Sequence, residues 1–167
     1  MAIKSDVWIE QWAPKLVEPY NPEHINPASY DVSLSDSWIC PTREPQEFTA
    51  EEVTLYPGEV ILGCTLEYVD IPRTVTADLK LKSSLGRLFL NHSMSGWIDP
   101  GFSGQITLEF QNIGPEPRVL KKGMRVAQLV FMELDQTPKV SYDRKGNYNG
   151  QTGATPSWSD KFFPTKK

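Results

Sequence analysis

An all-β domain with a short N-terminal helix is the fold class this sequence predicts, and three observations predict it. Proline and glycine punctuate the chain at short intervals, the pieces between them alternate apolar and polar residues with period two, and one early stretch alone carries a helical spacing. The 167 residues suit one domain, long enough to bury a core and too short for two ordinary ones. Residues 1–167 are therefore expected to form one unit, with 142–167 as a flexible C-terminal arm.

Ser5 or Asp6 can cap the helix, whose Val7, Trp8, Ile9 and Trp12 make one apolar stripe before Pro14 stops it. Tyr30, Val32 and Leu34 then alternate with Asp31, Ser33 and Ser35 in a strand. Pro57-Gly58 turns the chain into the apolar run from Glu59 to Glu67. Ala77, Leu79 and Leu81 face the core next, leaving Asp78, Lys80 and Lys82 on the opposite face. In the stretch from Gly104 to Phe110 the same alternation sends Ile106, Leu108 and Phe110 inward and Thr107, Glu109 and Gln111 outward. After a turn at Lys121-Lys122-Gly123, Val126 to Leu134 reads as a buried strand. Tyr142 to Ser159 is rich in Gly, Asn, Ser and Thr, with little that can pack, and reads as a mobile arm.

A formal net charge of -4 at pH 7 argues against a broad nucleic-acid or membrane-surface footprint, since both need a clustered positive field. The opening Met-Ala-Ile-Lys-Ser-Asp brings charge too early for a signal peptide, and no apolar run is long enough to span a bilayer. A soluble, cytoplasmic protein is expected. Cys40, Cys64, His24 and His92 have no spacing that would gather metal ligands, so no zinc site is expected, and the cysteines read as reduced and buried.

Three polar groups stand out between Lys82 and Glu109. Lys82-Ser83-Ser84-Leu85-Gly86-Arg87 offers two cations, two hydroxyls and a glycine that lets backbone amides approach an anion such as a triphosphate; the same hexapeptide serves equally as a solvated turn. Asp99 precedes a Pro-Gly turn, where an aspartate commonly bonds its own backbone. Glu109 projects from the polar face of an amphipathic strand, as solvated glutamates do. The tail adds Tyr142 and Asn147 to Gly153, either a frayed end or an arm that orders over a ligand.

The order and spacing of these groups resemble the dCTP deaminase family, a branch of the trimeric dUTPase superfamily. The resemblance runs through Ile25 to Leu34, Leu55 to Glu59, Leu62 to Glu67, Lys82 to Leu88, Ser95 to Gly104, Ile106 to Glu109, Gly123 to Leu129 and Tyr148 to Gly153. It implies a distorted jelly-roll β-barrel of the dUTPase-like type, assembled as a homotrimer with active sites between subunits. It also implies zinc-independent hydrolysis of dCTP to dUTP and ammonia, with Mg2+ carried on the triphosphate.

By the same resemblance Glu109 falls on the catalytic, water-activating position, with Ser83 and Arg87 around the reacting base. Asp99 falls on the deoxyribose 3′-hydroxyl position, while Lys82, Ser84, Thr107, Leu108, Tyr142 and Gln151 fall on nucleotide-binding positions. Three residues depart from the usual pattern: Lys82 replaces an arginine, Asn147 stands near a usual lysine with Lys145 close by, and Ser95 replaces an alanine beside the base. The stretch Ser95 to Asp99 is similar to members that also hydrolyse the triphosphate, giving dUMP and pyrophosphate, whereas members that stop at dUTP tend to carry arginine where Trp97 stands. The bifunctional reaction is thus the alternative to dUTP formation. A plain dUTPase and a catalytically silent nucleotide-binding regulator are further alternatives.

Overall fold

The computed structural model describes residues 2–92 and 96–158, which fold into two six-stranded antiparallel sheets and a two-stranded ribbon. β1 (Ala2–Ile3) leads into helix α1 (Asp6–Leu16), and β2 (Val17–Glu18), β3 (Ile25–Asn26), β4 (Ser29–Ser33), β5 (Ser37–Ile39), β6 (Glu47–Thr49) and β7 (Glu52–Leu55) follow. Two long strands come next, β8 (Val60–Asp70) and β9 (Val75–Leu81), then the one-turn helix α2 (Ser83–Gly86). β10 (Leu90–Asn91), β11 (Trp97–Ile98), β12 (Ser103–Asn112), β13 (Arg118–Lys121) and β14 (Arg125–Glu133) complete the strands, and α3 (Tyr142–Lys145) opens the C-terminal segment.

One sheet runs β11-β9-β14-β4-β3 with β1 also on β14, and the other runs β10-β12-β8-β5-β6 with β2 on β8. Neither path returns to its first strand. The closed, distorted jelly-roll barrel that was expected is therefore corrected to an open two-sheet fold. The edge strands supply the reason: β3, β10 and β11 have two residues each and β6 has three, with Pro27, Pro45 and Pro100 close beside three of them. Strands so short, next to residues without an N–H, present no continuous row of donors across which a sheet could close.

The alternation read in β12 is present. Ile106, Leu108 and Phe110 are buried in the core while Thr107 and Glu109 face out, and a register shift against β8 falls between Gln105 and Thr107. Such a bulge bends the strand and re-aims the side chains that follow it.

β4 and the two residues after it differ from expectation, because the polar residues are as buried as the apolar ones: Asp31, Ser33 and Ser35 lie inside with Tyr30, Val32 and Leu34. Both faces of β4 are covered, and its polar side is satisfied internally. Asn26, Lys82 and Arg125 reach Asp31, and Glu67 accepts from the Ser33 amide at 2.8 Å.

Helix α1 begins after Ser5, as read, but runs through Pro14 to Leu16. Only its last turn follows the proline, so little helical hydrogen bonding is lost. Its buried face is Ile9, Ala13 and Leu16, while Val7 is 73% exposed, so the stripe is rotated from the one expected. Trp8 packs against Phe131 at a centroid distance of 5.5 Å. Cys40 and Cys64 are both buried free thiols. Among the described residues no helix is long and apolar enough to cross a membrane.

Candidate active site

β12 carries Thr107 and Glu109 side by side on its outer face, and that face forms one wall of a pocket of about 410 Å³. Trp97, Ile98 and Asp99 of the β11 segment form a second wall, and the C-terminal segment supplies Tyr142, Tyr148, Gln151 and Thr155. Two carboxylates, Asp99 and Glu109, therefore line one cavity.

The β11 wall depends on a close backbone approach. A Cβ at Gly96 would stand 2.6 Å from the Leu79 carbonyl oxygen, and the Leu79 amide donates to the Gly96 carbonyl at 2.7 Å. Glycine lets this segment lie against β9, which brings Trp97 and Asp99 to the pocket. The Trp97 indole N–H donates to Asp99 Oδ1 at 3.2 Å, leaving Oδ2 for other partners.

Beneath Glu109 lies His92, a residue the sequence did not single out. Its side chain is 1% exposed, and its Nδ1 lies 3.1 Å from the Glu109 main-chain oxygen and 3.9 Å from Glu109 Oε2. Burial lowers the pKa of His92, favouring neutral imidazole. Since a carbonyl only accepts, Nδ1 carries the proton, and Nε2 is a buried acceptor with no partner among the described residues. The Glu109 side chain is 29% exposed, with Oε2 buried. No spacing in the sequence signals this pairing, because it arises only when β10 pairs with β12.

The C-terminal segment is laid along the start of β12. Gly150 N donates to Ser103 O at 2.6 Å, Gln105 N to Gln151 O at 2.9 Å, and Gln151 Nε2 to Gln105 O at 2.7 Å. Farther on, Ala154 N donates to Ser37 Oγ at 3.0 Å and Thr155 N to Thr107 Oγ1 at 3.2 Å. Gly104 sits beneath this seam with φ +152°, and a Cβ there would lie 3.0 Å from Gln151 O. Tyr142 packs on Phe102 at 5.7 Å, its hydroxyl accepts from Tyr148 N at 3.2 Å, and burial raises its pKa, which keeps the phenol protonated.

The structure thus brings together Asp99, Thr107, Glu109, Tyr142 and Gln151. Leu108 is completely buried, so its side chain turns into the core and away from the pocket. Lys82, Ser83, Ser84 and Arg87 do not line this pocket: Ser83, Ser84 and Arg87 are exposed on and beside α2, and Lys82 is paired with Asp31. Ser95 lies outside the described residues, as do 159–167 of the expected arm. Among the described residues no three His, Cys, Asp or Glu side chains are grouped where they could hold a metal ion.

Residues 3–134 match the family model described as dCTP deaminase-like. The chain belongs to that family. Similar to this dCTP deaminase-like chain are proteins named "dCTP deaminase, dUMP-forming" from Tropheryma whipplei (strain Twist), 41% identical over 88% of this chain and 86% of the relative, and from Mycobacterium avium (strain 104), 39% identical over 89% and 90%. In fold it resembles the crystal structure of 2'-deoxycytidine 5'-triphosphate deaminase from Agrobacterium tumefaciens, with a TM-score of 0.68 and 21% identity over 79% of this chain and 48% of that one. The native EIAV dUTPase gives a TM-score of 0.52 at 18% identity, over 78% and 93%. The reading that takes dUTP as the end product is corrected by these relatives, whose names specify dUMP.

Proposed function

We propose that this chain hydrolyses dCTP to dUMP, ammonia and pyrophosphate, consuming two waters. The observation that carries the reading is a single pocket lined by Glu109 and Asp99, in a chain whose relatives over most of its length are named as dUMP-forming dCTP deaminases.

Glu109 holds the first water and takes its proton as the oxygen attacks C4 of the cytosine. The same carboxyl returns a proton to the departing nitrogen, which leaves as ammonia. Acid–base help of this kind contributes about 10²- to 10⁴-fold, so positioning supplies much of the remainder. His92, donating to the Glu109 main chain, fixes the strand beneath that carboxylate. Asp99 holds the sugar 3′-hydroxyl and helps to activate the second water, which attacks the α-phosphate and expels pyrophosphate. Tyr142 and Gln151 close the segment over the nucleotide.

Ser83 and Arg87 enter this reading from a second subunit of a homotrimer, with Lys82 and Ser84 toward the triphosphate. Their absence from the Glu109 pocket of their own chain supports that division, as does the apolar groove of about 360 Å³ beside Glu109, lined by Ile39, Pro41, Val60, Leu62 and Phe110. Mg2+ would suit such a site, needing few protein ligands and supplying positive charge against the triphosphate beside Lys82 and Ser84. Zinc has no role in the reaction.

Glu109→Gln tests the assignment. With dCTP and Mg2+ the variant is expected to lose ammonia release by about 100-fold or more while binding dCTP nearly as the parent does. Release at near the parent rate would overturn the role of Glu109. A zinc-selective chelator is expected to leave the parent rate unchanged, and loss of activity under it would reopen a zinc route.

A further inference from the structure

Asp31 is an unusual residue to find in the middle of a strand, because its side chain is 1% exposed and it serves two cations at once. Its Oδ1 accepts from Asn26 Nδ2 at 2.9 Å, and its Oδ2 faces both Lys82 Nζ and Arg125 Nη1, the latter at 3.4 Å. Buried carboxylates persist only when paired, and this one is paired twice. The cations gathered on it outnumber its charge, so the cluster keeps a net positive charge in a chain whose formal net charge is -4.

Backbone geometry fixes that arrangement. Lys82 N donates to Val126 O at 2.9 Å, tying the end of β9 to β14 next to Arg125. Arg125 lies opposite Ser33 of β4, with a register shift between Arg125 and Ala127. The Lys82 and Arg125 side chains are 26% and 50% exposed, so both cations hold the carboxylate on one side and reach solvent on the other. The exposed Ser83 and Ser84 follow Lys82 directly.

We propose that Arg125 is a phosphate-binding residue of the nucleotide site, presented beside Lys82 by the buried carboxylate of Asp31. Lys82 offers a point charge. Arg125 offers a planar fork of five N–H donors, and its contact with Asp31 uses one nitrogen, leaving the others for phosphate oxygens. Together they form a two-cation clamp for the β- and γ-phosphates, with Asp31 relieving the repulsion that would otherwise drive the cations apart. Asp31 is a positioning residue in this arrangement and touches no phosphate. The inference rests on the proposed reaction with dCTP.

Binding to the Glu109→Gln protein, measured calorimetrically for dCTP and by NMR titration at millimolar concentration for dCMP, separates phosphate recognition from turnover. Adding Arg125→Gln is expected to weaken dCTP binding by about 10- to 100-fold, the loss of one or two charge-assisted hydrogen bonds, and to change dCMP binding by less than about threefold. Lys82→Arg placed in the Arg125→Gln protein is expected to recover part of the lost dCTP affinity, since it restores a fork on the same carboxylate; a purely structural ion cluster would give no such rescue. Unchanged dCTP binding in Arg125→Gln, or an equal loss for dCTP and dCMP, overturns the proposal while parent ammonia release from dCTP stands. A parent protein that neither binds nor deaminates dCTP overturns the reaction reading and this inference with it.

Discussion

Glu109 reaches the pocket by an ordinary rule, the alternation of β12, and gains its surroundings from segments distant in sequence. His92 is the clearest case. Its burial favours the neutral ring, so its folded pKa lies below the ordinary value of 6.5. Between those two values the unfolded chain binds more protons than the folded one, so stability is present above pH 6.5 and is lost as pH falls through the folded pKa. Chemical denaturation across that range is expected to show the loss in the parent and a smaller one in His92→Gln. An identical pH dependence in the two proteins would remove His92 as the titrating group. At this scale the outward direction of Glu109 was legible in the sequence, as was the apolar set inside β12. The imidazole beneath Glu109 was not, because nothing local marks a contact made across a strand pairing.

Among elements, β12 was readable because Ile106, Leu108 and Phe110 make the middle of one face apolar, and a one-residue slip would expose them. β4 misled for the opposite reason. Alternation reports one buried face, and the second is covered by Asn26, Lys82, Arg125 and Glu67, whose arrival depends on other strands. The place of the C-terminal segment has no signal of the same kind, since a polar stretch held by hydrogen bonds to β12 has no apolar period to mark it. Gly104 tests the importance of that seam. Alanine there meets both a positive φ and the Gln151 backbone, at a cost of about 1–3 kcal/mol. The variant is expected to raise KM for dCTP by about 3- to 10-fold and to speed proteolytic cleavage after residue 142, because the segment that closes the pocket is displaced. Parent-like KM and cleavage would show that closure does not depend on this contact.

Across the whole molecule, the separation of Glu109 from Arg87 within one chain is the feature that the proposed trimer must repair. Glu109→Gln and Arg87→Ala proteins, each inactive alone, are expected to regain about a quarter of parent activity when unfolded, mixed equally and refolded, since random assembly of a closed ring leaves that share of interfaces intact. No gain over the separate proteins would place both residues in sites made by one subunit. The open sheets bear on the same point, because they leave strand edges and the groove beside Glu109 uncovered in a single copy. A reaction that ends at dUMP is tested by following the parallel release of ammonia and pyrophosphate from dCTP with Mg2+. Equal amounts of the two throughout the time course are predicted; ammonia with accumulating dUTP and no pyrophosphate would contradict it.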